Sequence, residues 1–307
     1  MEGSLRSSDK TLKNERETRD SVIIRFAGDS GDGMQLTGSQ FALSSAILGN
    51  DLATFPDFPA EIRAPAGTTF GVSAFQIHFS AQHILTPGDE PEVLVAMNPA
   101  ALKVHLTDLD PGGMIVIDRD SFSEKNLRKA GYHTNPIEDQ SLEGYRVLAL
   151  DMSRLTQAAV KPFGLSQKDS LRCKNMWALG LMMWMYDRNR EPTINWLQQK
   201  FANRSEIAGA NIAALNAGHA FGETAELPDL GQGYAVPRAE IAPGEYRAVT
   251  GSEALAWGLA AGAHLADLKL VFASYPITPA SNLLHILAGL KAQGIVTFQA
   301  EDEIAAA

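Results

Sequence analysis

The run Val22-Ile23-Ile24-Arg25-Phe26-Ala27 is apolar, β-branched and short. It breaks into Gly28-Asp29-Ser30-Gly31-Asp32-Gly33, and Met34 to Leu48 then carries apolar residues at helical spacing up to the stop signal Gly49-Asn50. A strand that opens through a glycine-rich turn into a helix constrains this chain more than any other feature, because it is the repeating unit of α/β sheets. Further strand candidates fall at Gly71 to Ile77, Val93 to Ala96, Met114 to Ile117 and Arg146 to Leu150, with helical or loop segments between them. The alternation predicts an α/β fold, a Rossmann-like parallel sheet with helices on both faces.

The flanks set the domain organisation. Residues 1–20 are polar, charged and aperiodic and read as a disordered arm, with order beginning at Ser21. Met176 to Tyr186, Ile194 to Phe201 and Ile212 to Phe221 read as helices, the second introduced by Pro192-Thr193. The Met176, Met182, Met183 and Met185 group with Trp177 and Trp184 suits a helix core or a subunit contact. The first domain is expected over 21–225 and a Pro- and Gly-rich acidic linker over 226–245. From 246 to 307 a second α/β unit opens: the small-residue helix Gly251 to Gly262, strand Leu270 to Ala273, helix Ser281 to Gln293 and strand Ile295 to Phe298. These elements are too few to complete a domain core, so the expectation is a domain that is cut short at Ala307.

A formal net charge of -10 without a strongly basic run argues against nucleic acid as a partner. Apolar stretches such as Trp177 to Met185 are too short for a bilayer, and the first twenty residues have no apolar leader, so the expectation is a cytoplasmic protein with no membrane partner. The single cysteine, Cys173, excludes a self-contained cysteine-ligated zinc or iron-sulfur site. His78 and His83 have no further ligand at metal spacing, and no metal residues are assigned.

Two regions carry candidate chemistry. The first is the glycine loop, where a strand, turn and helix could hold phosphate on helix amides through Gly28, Gly31 and Gly33. Its spacing is Gly-x-x-Gly-x-Gly, not the dinucleotide Gly-x-Gly-x-x-Gly, and Asp29 and Asp32 would repel a pyrophosphate unless paired. It reads as a ligand loop or as a tight turn against a partner, with nicotinamide binding as the alternative. Downstream, the Pro- and aromatic-rich stretch Phe55 to Gly71 has little helical potential and reads as an interface loop or one folded on its own domain; Arg63 within it could meet an anion or pair with Glu61.

The second region is Tyr275-Pro276-Ile277-Thr278-Pro279 after an apolar strand, followed one helix and strand later by Glu301-Asp302-Glu303. The two prolines would hold the Thr278 hydroxyl and nearby amides rigid at the sheet edge, where donors suit a carboxylate or carbonyl oxygen. Glu303 falls in the first turn of a helix, where it serves either chemistry or capping.

Together with the preceding Gly-x-Glu-Ala-x-Ala-x-Gly helix and the following Glu-x-x-x-Ala, the Tyr275 to Pro279 motif resembles the α domain of the 2-oxoacid:ferredoxin oxidoreductases. The upstream Ala27-Gly28-x-x-Gly31-x-Gly33, Glu61-Ile62-Arg63 and Val95-Ala96-Met97-Asn98 resemble the γ domain of the same enzymes, and Phe58 to Gly67 is similar to the fused γα subunit of the 2-oxoglutarate enzymes. The resemblance spans Ser21 to Ala307. It implies a γ domain followed by the start of a thiamine diphosphate-type, pyrimidine-binding α domain. It further implies oxidative decarboxylation of 2-oxoglutarate with coenzyme A to succinyl-CoA, CO2 and reduced ferredoxin, a reversible reaction. Tyr275, Pro276, Ile277, Thr278 and Glu303 would contact thiamine diphosphate, with Glu303 and Thr278 catalytic: Glu303 against the aminopyrimidine and Thr278 near the substrate. A β subunit would supply the pyrophosphate site, Mg2+ and a [4Fe-4S] cluster. The lone Cys173 agrees, as does the lack of an Asn after Gly31-Asp32-Gly33, over Phe58 to Glu61, to complete a magnesium motif. The chain is expected to be active only with the remainder of α and the β subunit. The alternatives are a pyruvate or branched-chain 2-oxoacid enzyme, or a non-catalytic assembly module.

Overall fold

The computed structural model describes residues 16–59, 64–225, 233–277 and 280–307. Two compact units divide between Pro243 and Gly244. The first runs β1 (Glu17–Thr18), β2 (Ser21–Asp29), α1 (Met34–Leu48), β3 (Asp51–Asp57), β4 (Val72–Ser80), β5 (Val93–Ala96), α2 (Pro99–His105), β6 (Met114–Asp118), α3 (Glu124–Lys129), β7 (Arg146–Leu150), α4 (Met152–Val160), α5 (Gln167–Arg172), α6 (Lys174–Met185), α7 (Glu191–Lys200), α8 (Ser205–Thr224) and β8 (Tyr234–Ala235). The second runs α9 (Gly251–Leu265), β9 (Val271–Ser274), α10 (Ser281–Gly289), β10 (Val296–Gln299) and α11 (Glu303–Ala306).

A six-stranded sheet of order β3-β4-β2-β5-β6-β7 centres the first unit. Strands β2, β5, β6 and β7 pair in parallel, each step crossing over through a helix-bearing connection. The α/β class therefore stands, but the sheet is mixed: β4 runs antiparallel to both β2 and β3. A parallel return needs a crossover, usually a helix, and the described residues between β3 and β4 hold only a single helical turn at Thr69–Gly71. The expected loop from Phe55 also begins inside β3, where Pro56 is tolerated because β3 is an edge strand.

Alternation along the strands sends side chains to two cores. Val22, Ile24 and Phe26 with Phe75, Ile77 and Phe79 pack against α1, α6 and α8, while Leu94, Ala96, Ile115 and Ile117 pack against α2 and α3. The Met176 to Met185 group lies in the first core, with Trp177 only 1% exposed. There α6 and α8 touch backbone to backbone: a Cβ on Gly180 would stand 2.0 Å from the Leu215 carbonyl oxygen, and one on Gly218 1.9 Å from that of Trp177.

The expected arm and linker are partly built into this unit. Glu17 and Thr18 pair in parallel with Tyr234 and Ala235, the Arg19 guanidinium lies 5.2 Å over the Tyr234 ring, and Asn50 Nδ2 donates to the Pro237 carbonyl at 2.5 Å. Neither segment is periodic, so only this long-range pairing gives them structure.

The second unit has a small core around Ala256, Leu287 and Ile295. Thr250 and Glu253 close a capping box at the start of α9. Strands β9 and β10 pair in parallel, Val271 with Val296 through Ser274 with Gln299.

Candidate functional site

In the first unit α1, which follows β2, and α2, which follows β5, pack on opposite faces of the sheet. The reversal leaves a recess at the C-terminal ends of those strands, where α/β proteins bind ligands, and it adjoins a larger crevice between the glycine loop, the end of β6 and helices α4 and α5. The crevice has a volume of about 590 Å³, with an adjoining recess of about 180 Å³. Its wall includes Arg154, Lys168, Arg172 and Lys174 against Asp32 and Asp120. Arg154 pairs with Asp151, Arg172 with Asp169 at 3.0 Å and Lys174 with Asp118 at 2.8 Å, whereas Lys168 makes no ion pair among the described residues, so the anion-binding side of the crevice is the α4–α5 wall around Lys168.

The glycine loop forms one side of the crevice. Gly33 has φ +74° and a Cβ there would strike Asn175, whereas Gly31 has nothing within 4 Å and borders open space. The two loop carboxylates are tied together: Asp29 N–H donates to Asp32 Oδ2 at 2.9 Å, and Asn98 Nδ2 donates to Asp29 Oδ1 at 2.9 Å. Asn98 also caps α2 by accepting from Ala101 N–H at 2.9 Å. Burial, and after it the Asp32 charge, raise the Asp29 carboxyl above its ordinary 3.8; donors from Gly67 and Asn98 and the Lys174 charge oppose the shift.

Behind the loop, fully buried Asp118 at the end of β6 accepts from Ser121 Oγ at 2.5 Å, Ser153 Oγ at 2.7 Å and Lys174 Nζ at 2.8 Å. Lys174 Nζ reaches Ser121 Oγ at 3.2 Å and the Met97 carbonyl at 3.5 Å, which occupies the three donors of an ammonium. It joins β5, β6 and α6 rather than presenting a free charge. Apart from Asn98, these crevice residues carry no motif. The signal that could have found Asn98 and Asp118 is a polar residue closing each apolar strand, Val95-Ala96-Met97-Asn98 and Ile115-Val116-Ile117-Asp118.

In the second unit the parallel register ends β9 and β10 level with each other, so the Tyr275 to Ile277 loop and the approach to Glu303 leave the same sheet edge. Ser281 pins the loop: its Oγ donates to the Ile277 carbonyl at 2.9 Å and accepts from Ile277 N–H at 3.0 Å. Tyr275 is half-buried, and Pro276 and Ile277 are exposed. Capping falls to Asp302, which accepts from Ala305 N–H at 2.8 Å. Glu303 is exposed and makes no hydrogen bond or ion pair among the described residues. Thr278 and Arg63 lie outside the described residues.

The histidines serve structure. His78 bonds Ser21 Oγ at 2.7 Å and the Thr86 carbonyl at 2.9 Å, and His83 bonds Asp51 at 2.8 Å. No described helix is long and apolar enough to cross a membrane.

A strand-end crevice followed by a second strand-end loop is the layout of an α/β enzyme subunit, and the comparisons give its class. Residues 23–221 match the family described as pyruvate ferredoxin/flavodoxin oxidoreductase, and residues 261–307 match its thiamine diphosphate-binding domain. The chain belongs to the 2-oxoacid:ferredoxin oxidoreductase family.

Among individual proteins, it is 53% identical to 2-oxoglutarate oxidoreductase subunit KorA of Mycobacterium tuberculosis over 94% of this chain and 44% of that one. It is 25% identical to ketoisovalerate oxidoreductase subunit VorA of Methanothermobacter thermautotrophicus, over 64% of this chain and 35% of that one. The solved 2-oxoglutarate:ferredoxin oxidoreductase from Magnetococcus marinus, with 2-oxoglutarate, coenzyme A and succinyl-CoA bound, superimposes with a TM-score of 0.68 at 28% identity, over 94% of this chain and 44% of that one. The chain thus spans less than half the length of these relatives.

Proposed function

We propose that the chain forms the γ part and the first portion of the α part of a 2-oxoglutarate:ferredoxin oxidoreductase. That enzyme would convert 2-oxoglutarate and coenzyme A reversibly to succinyl-CoA, CO2 and reduced ferredoxin. The observation that carries the reading is the meeting of the Tyr275 loop and Glu303 at one sheet edge, within the unit that matches a thiamine diphosphate-binding domain. The residues fit that cofactor: Asp302 takes the capping, which leaves the Glu303 carboxylate available to a ring nitrogen.

Thiamine diphosphate, when bound, supplies the nucleophilic carbon and the electron sink for decarboxylation. This chain's residues would do the rest on one side. Tyr275, Pro276 and Ile277 form a rigid wall, Thr278 offers a hydroxyl to the substrate, and Glu303 holds a proton against the aminopyrimidine. Such proton sharing needs a dry pocket, and Glu303 is exposed here, so the reading requires a covering surface. The remainder of α and a β subunit carrying Mg2+, the cofactor's pyrophosphate site and a [4Fe-4S] cluster would provide it, with ferredoxin as electron acceptor.

The α4–α5 wall of the first unit's crevice, with Lys168 unpaired among the described residues beside Arg172, would receive the anionic part of coenzyme A. Lys168→Glu or Arg172→Glu is expected to weaken coenzyme A binding about tenfold, read by calorimetry. In the complex reconstituted with the missing parts, Glu303→Ala is expected to abolish coenzyme A-dependent ferredoxin reduction, and normal turnover would remove Glu303 from the site. The branched-chain and pyruvate alternatives are separated by turnover on 2-oxoglutarate, 2-oxoisovalerate and pyruvate. A chain that binds a β subunit but neither thiamine diphosphate in the complex nor coenzyme A would be an assembly module.

A further inference from the structure

The crevice is uneven in charge. Lys168 stands on α5 with no ion pair among the described residues, beside Arg154 and Arg172, which pair with Asp151 and Asp169 on their own side, whereas the glycine loop presents Asp29 and Asp32. A phosphate-cradling loop offers its backbone amides to the ligand, but here the Asp29 amide already donates to Asp32 Oδ2 at 2.9 Å. The Asp32 amide turns back in the same way, onto the Asp29 carbonyl at 2.8 Å.

We infer that Asp32 is the loop's built-in anion: its carboxylate holds the position a phosphate would take, bars phosphate from the loop, and confines a ligand's phosphates to the Arg154, Lys168 and Arg172 wall. This rests on the reading that the crevice takes the anionic part of coenzyme A, and it names the residue that sets how such a ligand enters.

Two further observations carry it. A Cβ on Gly28 would stand 2.9 Å from Asp32 Oδ2, so the glycine at position 28 makes room for this chain's own carboxylate. Lys174, which lines both the crevice and its recess, has its donors engaged by Asp118, Ser121 and the Met97 carbonyl, which leaves none to bind a phosphate on the loop. Asn98 Nδ2 donates to Asp29 Oδ1 at 2.9 Å and to Asp32 Oδ2 at 3.5 Å, so the Asp32 carboxylate is held in the loop from both sides. A dinucleotide, whose pyrophosphate must rest on the loop, is thereby turned away.

The experiment titrates the 307-residue chain and its Asp32→Asn and Asp32→Gly variants with inorganic pyrophosphate and with coenzyme A by calorimetry. Asp32→Asn keeps an acceptor for the Asp29 amide and removes only the charge, so the loop can close as before; Asp32→Gly also frees the amide. Pyrophosphate affinity is expected to rise at least tenfold in Asp32→Asn and further in Asp32→Gly, and Arg172→Glu is expected to cost the gained binding less than it costs the original chain. Pyrophosphate affinity within twofold of the original chain, or undetectable, in both variants overturns the inference. Failure of the parent reading looks different: coenzyme A does not bind the original chain, or Lys168→Glu leaves its binding unchanged, while the pyrophosphate comparison still judges Asp32.

Discussion

Asp29 shows how one residue ties the crevice to stability. Because its carboxyl is raised, only between 3.8 and the native value does the folded chain hold a proton there that the unfolded chain has lost. Stability from this group is therefore complete below 3.8 and is lost as pH rises through the native value. Asp29→Asn retains an oxygen for Asn98 and should raise the thermal midpoint at neutral pH while leaving it unchanged near about pH 3. Equal effects at both pH values would refute the assignment. The Gly28 to Gly33 spacing and the need to pair Asp29 and Asp32 are legible in the sequence, but Asn98 as the bridge is not. It stands on another strand and reaches the loop only when β2 and β5 lie side by side.

Among the elements, local periodicity located what is locally determined. β2, α1, α6 and the four elements from α9 to β10 fall where their apolar spacing places them. Helix α8 runs from Ser205 to Thr224, longer than its Ile212 to Phe221 stripe, because the positions it buries beyond the stripe are the small Ala208, Ala210 and Gly222, which carry no strong apolar signal. Gly180→Ala and Gly218→Ala should each cost about 1–3 kcal/mol in denaturant unfolding, since the helices would have to part to admit a methyl. Losses below measurement would mean that the two helices can separate cheaply. Strand β3 escaped because Pro56 and the aromatics of an edge strand resemble a loop, and the direction of β4 escaped because direction follows from the connection.

For the whole chain, two units whose cores differ greatly in size predict different protection. The first unit buries two sheet faces, whereas the second buries a small cluster and leaves Val271, Val296 and Phe298 exposed. Native-state hydrogen exchange should therefore protect β2, β5 and β6 longest and β9 and β10 far less, and equal protection would contradict the separate cores. The family motifs were visible in the sequence. The Glu17 to Tyr234 pairing was not, since nothing local marks either partner.

The sequence by itself determined the α/β class, the strand-loop motif at Tyr275 to Ile277 and the acidic run ending in Glu303, because periodicity and motif spacing are local properties. Only the tertiary structure decided that the sheet is mixed, that Asp302 caps while Glu303 is left available, and that Asp32 folds onto its own loop. Those outcomes depend on which groups strand pairing brings within hydrogen-bond reach, and that distance is not written in the order of residues.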